Sequence, residues 1–139
     1  MKIKSYVAVL LSHLAVLIAL LTPIIRVSEI KMTLTGEKSD EASLVNFIEF
    51  IVRDPYNFTS VLMLVLVGVH IMGVANALFG IIKKKYSHSS INFTFYCSFA
   101  SALMGALHLY SKSYALFFIC AVSFLVIAFC SIKLIKSEG

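Results

Sequence analysis

Three histidines lie within long apolar stretches of the chain, where an imidazole has few polar neighbours. In such surroundings a histidine hydrogen-bonds another helix, exchanges a proton or binds a metal ion. Counted at the helical rise, His13 lies about 12 Å and His70 roughly 9 Å from the same edge of a 30 Å apolar layer. We therefore predict an intramembrane polar pair, His13 with His70, assisted by Ser12 and Asn76. The third histidine, His108, is placed near the opposite edge.

That predicted pair has two interpretations, which the sequence leaves open. Neutral imidazoles would form an ordinary hydrogen bond between two helices, a contribution of roughly 0.6 to 2 kcal/mol. Alternatively, the pair would be a contact that responds to protons or to a metal ion.

No second set of reactive residues accompanies the histidines in the sequence. His70 and Met72 have the spacing of a copper-ligand pair, but two ligands do not make a site. The cysteines, Cys97, Cys120 and Cys130, fall within apolar stretches and have no C-x-x-C spacing. The sequence also has no phosphate loop and no nucleophile beside a base. We expect no enzyme activity, no catalytic residue, no metal and no cofactor.

The elements that position these residues are predicted membrane helices. Of the 139 residues, 60% are hydrophobic and 14% are charged, whereas soluble domains are roughly 25% charged. Four stretches without Asp, Glu, Lys or Arg are long enough to cross a bilayer, since about 20 apolar residues suffice. We predict an all-α integral membrane protein, a four-transmembrane-helix bundle that forms a single domain over residues 1–139. Its spans are placed at about 5–25, 56–82, 88–110 and 114–132, with a polar outer loop over 26–55.

The absence of charged side chains from these spans argues against proton-coupled transport. Carriers of that kind generally use an ionisable group within the membrane. The four-helix multidrug exporters resemble this chain in size and span count, but they use a membrane carboxylate that it lacks.

The distribution of Lys and Arg predicts the orientation in a bacterial inner membrane. Seven of the twelve lie in the two tails and the loop between the second and third spans, where Lys83, Lys84 and Lys85 are consecutive. Positive residues favour the cytoplasmic side, so both termini are predicted to be cytoplasmic. Six of the seven acidic residues fall in the outer loop. The basic cytoplasmic face suits anionic lipid headgroups and a soluble protein partner rather than nucleic acid.

The outer loop contains an alternating segment that is typical of a strand. Between residues 29 and 35, Ile30, Met32 and Leu34 share one face and polar residues share the other. The sequence shows no evident partner for this strand within the chain. An unpaired strand edge is a template for another chain, so we predict contacts between subunits or with a partner protein here.

An amphipathic helix is predicted to follow, with Ser39 as its N-cap and Pro55 just beyond its end. Its apolar residues recur at helical spacing: Leu44, Phe47, Ile48 and Ile51. We expect it to lie on the outer membrane surface or to cap the bundle, and Phe47 and Ile48 join the predicted oligomer contacts.

Small residues predict where the membrane helices approach one another closely. Gly73 and Ala77 form one such pair in the second span, and Ser98, Ala102 and Ala106 form a ridge in the third. Their spacing does not tell whether the facing helix belongs to the same subunit. Because four helices bury little area in lipid, we expect a homo-oligomer.

Two functions fit these observations. The first is a membrane scaffold or sensor subunit that couples an outer-loop signal to a cytoplasmic partner. Membrane components of phage-defence systems and bacteriocin immunity proteins are similar in size and span count, which implies a role in defence or immunity. The second is a passive pore or small-solute conduit at the oligomer axis, which requires Ser98, Ser101 or Asn76 to face a shared lumen.

Overall fold

Four long helices dominate the structure, a computed structural model that describes residues 2–32, 34–84 and 87–137. The side chains of residues 29–32 and 39–41 are outside that description. The elements in chain order are α1 (Lys2–Leu21), β1 (Ile25–Met32), β2 (Lys38–Val45), α2 (Phe47–Arg53), α3 (Phe58–Lys83), α4 (His88–Tyr110) and α5 (Tyr114–Lys136). The helices α1, α3, α4 and α5 are each long and apolar enough to cross a membrane. The predicted helical membrane bundle is confirmed at that level.

The helix ends follow from local sequence signals. Asn57 accepts a hydrogen bond from the Thr59 amide at the start of α3, and Ser87 accepts one from the Ser90 amide at the start of α4. Such side chains satisfy amides that have no partner within the helix. The first span ends at Leu21, four residues earlier than predicted, because Pro23 follows and the chain enters β1 at Ile25.

The four long helices form a ring in which each packs against two neighbours. The helix α1 packs against α3 and α5, and α4 packs against the same two. Because successive helices are antiparallel, β1, β2, α2 and the α4–α5 turn lie together at one end of the bundle, here called the hairpin end. The start of α1, the end of α3, the start of α4 and the end of α5 lie at the other, the terminal end.

The predicted strand is present, but its predicted lack of a partner is wrong. The strand β1 pairs with β2 in an antiparallel hairpin, in a register running from Ile25 opposite Val45 to Met32 opposite Lys38. Gly36, with a φ of 79°, lies in the turn between them, a conformation that suits glycine. The partner of β1 is therefore β2 of the same chain. Within the part of the sheet that the structure describes, one edge of each strand has no ladder partner.

The amphipathic helix is also present, but it begins later than predicted. Ser39 lies within β2, and the N-cap of α2 is Asn46, whose side chain accepts a hydrogen bond from the Glu49 amide. Phe47 is half-buried against the core of the bundle, whereas Ile48 is exposed. The helix therefore rests against the hairpin end.

The buried core is divided along the bundle axis. One cluster at the hairpin end includes residues of all four long helices and the first pair of the hairpin: Val16, Leu20, Ile25, Val45, Met63, Leu66, Met104 and Leu116. A second cluster lies toward the terminal end: Tyr6, Val9, Ala77, Ile91, Ile127 and Leu134. The buried histidines His13 and His70 belong to neither cluster.

Candidate functional site

The structure brings His13 of α1 and His70 of α3 into direct contact. Their Nδ1 atoms are 2.8 Å apart, and both side chains are 0% exposed. The two rings meet edge to face, with centroids 5.0 Å apart. The two residues whose depths coincide in the sequence are therefore hydrogen-bonded neighbours inside the bundle.

This geometry fixes how protons are arranged on the pair. One Nδ1 must donate and the other must accept, so two neutral imidazoles have to adopt opposite tautomers. The first then has a bare Nε2 and the second carries its proton on Nε2. Neither Nε2 has a hydrogen-bond partner among the described residues. A neutral pair therefore has one proton in the hydrogen bond between the rings and a second on one Nε2, and both Nε2 atoms are unsatisfied in the interior.

The two residues predicted to assist the pair do something else. The Ser12 hydroxyl donates to the Ala8 carbonyl one turn earlier in α1. Asn76 makes its hydrogen bonds to Ser90 and Thr94 of α4. Within the described ranges, no group of three or more His, Cys, Asp and Glu side chains is arranged to hold a metal ion.

Gly73 allows the histidine of α1 to approach α3. A Cβ atom placed on Gly73 would lie 2.5 Å from Nε2 of His13, closer than real Cβ atoms come to other atoms. Gly80, two turns further along α3, lies against the Tyr6 ring of α1, where an added Cβ would be 3.0 Å from the ring, a tight contact but a less severe one. Gly80 was not among the predicted packing residues, although its spacing of seven from Gly73 is a signal that could have indicated it. These close approaches join helices of the same chain.

The predicted ridge on α4 only partly faces the interior. Ser98 is buried, Ala102 is half-buried and Ala106 is exposed, so the ridge turns toward the outside of the subunit. Gly105, which forms another small-residue pair with Ser101 in the sequence, makes a close approach: a Cβ there would lie 3.2 Å from Cβ of Cys120 in α5. The ridge turns outward along its length because a four-residue spacing drifts around a helix of 3.6 residues per turn, so packing at Ala106 stays a prediction.

A polar network joins three helices toward the terminal end. The Ser90 hydroxyl donates to Oδ1 of Asn76 at 2.8 Å, and Nδ2 of Asn76 donates to the Ser90 carbonyl at 3.2 Å and to Oγ1 of Thr94 at 3.3 Å. The Tyr6 hydroxyl of α1 lies 3.2 Å from the hydroxyl oxygen of Ser90. The network fixes α1, α3 and α4 against one another beside the second core cluster.

Replacing Asn76 with leucine is expected to lower the free energy of unfolding by about 1 to 2 kcal/mol. The change removes three interhelical hydrogen bonds, each worth roughly 0.6 kcal/mol on average in a membrane bundle. Titration with denaturing detergent in mixed micelles measures the difference. The control is Asn92→Leu, at an exposed position of α4, and an equal loss in both variants would contradict the role of the network.

The hairpin is joined to the bundle at its root, which comprises the paired residues Ile25 and Val45 and the adjoining Arg26. Ile25 and Val45 are each 1% exposed and belong to the core cluster formed by the helices. The Arg26 amide donates to the Ser113 hydroxyl, at 2.6 Å, and the Ser113 amide donates to the His108 carbonyl, at 2.7 Å. The first residues of β1 are therefore tied to the turn between α4 and α5.

A cavity of about 240 Å³ lies beneath the hairpin root. His108, which is 2% exposed, lines it together with Met63, Phe50 and the first residues of β1. This histidine is far along α4 from the level of the His13–His70 pair and takes no part in it.

The described residues among those predicted to contact other proteins lie at the two ends of the bundle. Leu34 is fully exposed in the hairpin turn, and the side chains of Ile30 and Met32 lie outside the described part of the chain. At the terminal end, the Lys83 ammonium lies 4.7 Å from the centre of the Phe79 ring. Lys84 is exposed and Lys85 lies outside the described residues. Of this set, the exposed residues Leu34 and Lys84 therefore lie at opposite ends of the bundle.

Comparison with known protein families, with curated proteins and with solved structures found no match to this chain.

Proposed function

We propose that this chain is a sensor or scaffold subunit of a bacterial inner-membrane assembly. In this proposal the hairpin end receives a signal outside the cytoplasm, and the terminal end presents lysines to a soluble cytoplasmic partner. The subunit acts by association and carries out no catalysis. A role in phage defence or toxin immunity fits this arrangement.

The observation that carries the proposal is the embedded root of the hairpin. Ile25 and Val45 pack among side chains of all four long helices, and the Arg26 amide holds the α4–α5 turn. A force on the hairpin therefore acts on the helices directly, because close-packed cores transmit strain. A loop tethered only by its ends would not have this property.

The tip of the hairpin offers the surface for a signal or for a second copy. Leu34 is fully exposed there, and the described sheet leaves one edge of each strand open for another strand. Addition of a strand from another chain is a common mode of recognition. It would place contacts at Ile30, Met32 and Leu34, the residues whose alternating pattern predicts them.

The terminal end offers a surface of opposite character. Lys83 and Lys84 end α3, and Lys133 and Lys136 lie in the last turn of α5. A dense group of lysines favours the cytoplasmic side and attracts anionic surfaces. We propose that Lys83, Lys84 and Lys85 form the contact with the soluble partner.

A passive pore is the second function that the sequence allows, and the geometry favours it less. Such a pore needs Ser98, Ser101 or Asn76 to face a lumen shared between subunits. Ser98 and Ser101 are buried inside the bundle of a single chain. The side-chain amide of Asn76, on α3, donates a hydrogen bond to α4 of the same chain. The lumen would need other residues.

Neutralising the three consecutive lysines is expected to abolish capture of the partner. The variant is Lys83→Gln/Lys84→Asn/Lys85→Gln, in which asparagine tolerates the left-handed conformation of Lys84, whose φ is 51°. The tagged protein is cross-linked in cells, purified in detergent and its captured proteins are quantified by mass spectrometry. The captured amount of a soluble partner should be at least tenfold lower in this variant than in the wild type.

The matched control removes the same charge from the same end of the bundle, through Lys4→Gln/Lys133→Gln/Lys136→Gln. This control is expected to retain the partner. A Lys84→Cys variant that reacts with an impermeant thiol reagent only after cell lysis verifies the orientation. Equal losses in both triple variants would contradict the assigned contact, and protein-dependent ion flux into vesicles would favour the pore.

A further inference from the structure

We propose that the subunit binds one anionic phospholipid, with its phosphate at Arg26 and Lys112 and an acyl chain in the groove between α1 and α5. This site goes beyond the sensor function and does not depend on it. It also does not depend on which side of the membrane the hairpin end faces, because it requires only an interface with anionic lipid.

The headgroup part of the site is an open cavity of about 410 Å³ beside the hairpin root. Two cationic residues, Arg26 of β1 and Lys112 of the α4–α5 turn, both line it. Both side chains are exposed, and no ion pair of either is found among the described residues. Two positive charges facing one concavity complement a phosphate group, which arginine and lysine bind through charge-assisted hydrogen bonds.

The remaining walls of this cavity are amphipathic, as a lipid headgroup region requires. Ile24, Leu44 and Ala115 supply apolar surface, and Tyr114 supplies an aromatic ring with a hydroxyl. Tyrosine is enriched at the level of lipid headgroups, because its ring is apolar and its hydroxyl is polar. The cavity lies at the start of α5, where the apolar span meets the polar hairpin.

A second groove lies further along the seam between α1 and α5. It has a volume of about 390 Å³ and is lined by Leu11 and Ala15 of α1 and by Phe118 and Val122 of α5. On α5, the residues lining the two cavities recur at intervals of four, so they share one face of the helix. The seam extends about 12 Å from Ala115 to Ser123 at the helical rise.

The two parts together match one molecule that is charged at one end and apolar at the other. Leu11, Phe118 and Val122 are all largely exposed, so the lower groove opens toward the surroundings of the bundle. In a membrane that surface meets acyl chains. The positive charges above it select which headgroup those chains carry, and a free inorganic anion would use only the upper part.

The test measures how much lipid the purified protein retains by native mass spectrometry. Wild-type protein is titrated with phosphatidylglycerol and, separately, with phosphatidylcholine of the same chain length. We expect one phosphatidylglycerol to be retained preferentially. Arg26→Gln/Lys112→Asn is expected to weaken that binding about thirtyfold. Each cation near an anionic lipid raises the affinity about fivefold, and the variant removes two cations. Asparagine preserves the left-handed backbone at Lys112, whose φ is 59°.

Two controls separate the site from a general effect of charge or surface. Lys38→Gln/Lys136→Gln removes two positive charges elsewhere and should retain the preference. Ala15→Phe fills the lower groove and should weaken binding of phosphatidylglycerol severalfold, whereas Ala75→Phe on the exposed face of α3 should not.

Three results would overturn the proposal. They are equal retention of phosphatidylglycerol and phosphatidylcholine by the wild type, unchanged preference in Arg26→Gln/Lys112→Asn, and displacement of the lipid by millimolar inorganic phosphate. Unchanged circular dichroism and thermal midpoints establish that the variants are folded, so a loss of lipid reports on the site.

Discussion

Replacing Gly73 with alanine is expected to lower the free energy of unfolding by about 1 to 3 kcal/mol, the usual effect of overpacking a filled interior. The added methyl group would lie 2.5 Å from Nε2 of His13, and the imidazole has no solvent-facing direction in which to retreat. The ring must move, and the hydrogen bond to His70 is lost or lengthened. Detergent titration in mixed micelles measures the change.

Gly68 provides the matched control for this prediction, because it lies on the same helix and a Cβ atom there would meet nothing within 4 Å. Gly68→Ala is expected to leave stability unchanged or slightly raised, since alanine favours helix more than glycine does. A double-mutant cycle gives the sharper test. In the His13→Ala background the space is empty, so Gly73→Ala should cost much less. The same cost in both backgrounds would show that the clash does not occur.

Replacing Ile25 with alanine is expected to cost about 2 to 5 kcal/mol, as for other large-to-small changes in filled cores. Ile25 is 1% exposed and joins the hairpin to side chains of the four long helices. The same substitution at Ile48, which is 59% exposed on α2 at the same end, should change stability by about 0.5 kcal/mol or less. Titration with denaturing detergent measures the free energy of unfolding of both variants. An equal loss of stability in the two would contradict the burial of the hairpin root in the helix core.

The membrane helices were the most predictable part of the molecule. The thickness of the bilayer sets their length, and its apolar interior excludes charged side chains. The number of residues from the end of each helix gives the depth of a side chain in the membrane, because the helical rise per residue is nearly constant. On this basis His13 and His70 were potential neighbours. The structure places their Nδ1 atoms 2.8 Å apart. Sequence spacing could not assign the roles of Ser12 and Asn76, whose hydrogen bonds depend on which way each helix is rotated.

The outer loop was less predictable because two periodicities overlap in it. Leu44, Phe47, Ile48 and Ile51 recur at helical spacing, yet Leu44 belongs to β2 and the other three to α2. The second strand also contains Ser39, Asp40, Glu41 and Ala42, residue types that rarely favour strands. Pairing with β1 outweighs those local preferences. The chain therefore forms a hairpin where the sequence alone predicts a lone strand and a longer helix.

The rotation of each helix within the bundle was also beyond the sequence. Gly73 and Gly105 face neighbouring helices of the same subunit, whereas Ala106 is exposed. All three are small residues in apolar helices, and lipid and protein surfaces have similar polarity in such a setting. Composition therefore cannot tell which small residue is buried.

The most direct test of the proposed coupling between the hairpin and the helices is hydrogen–deuterium exchange of the Ile25→Ala variant in lipid nanodiscs. Loosening the root should speed exchange in peptides covering the end of α1 and the start of α5, around residues 16–24 and 111–117, relative to wild type and to Ile48→Ala. This result would mean that a disturbance of the hairpin reaches the membrane helices. Faster exchange confined to residues 25–53, with both helix ends unchanged, would contradict the account.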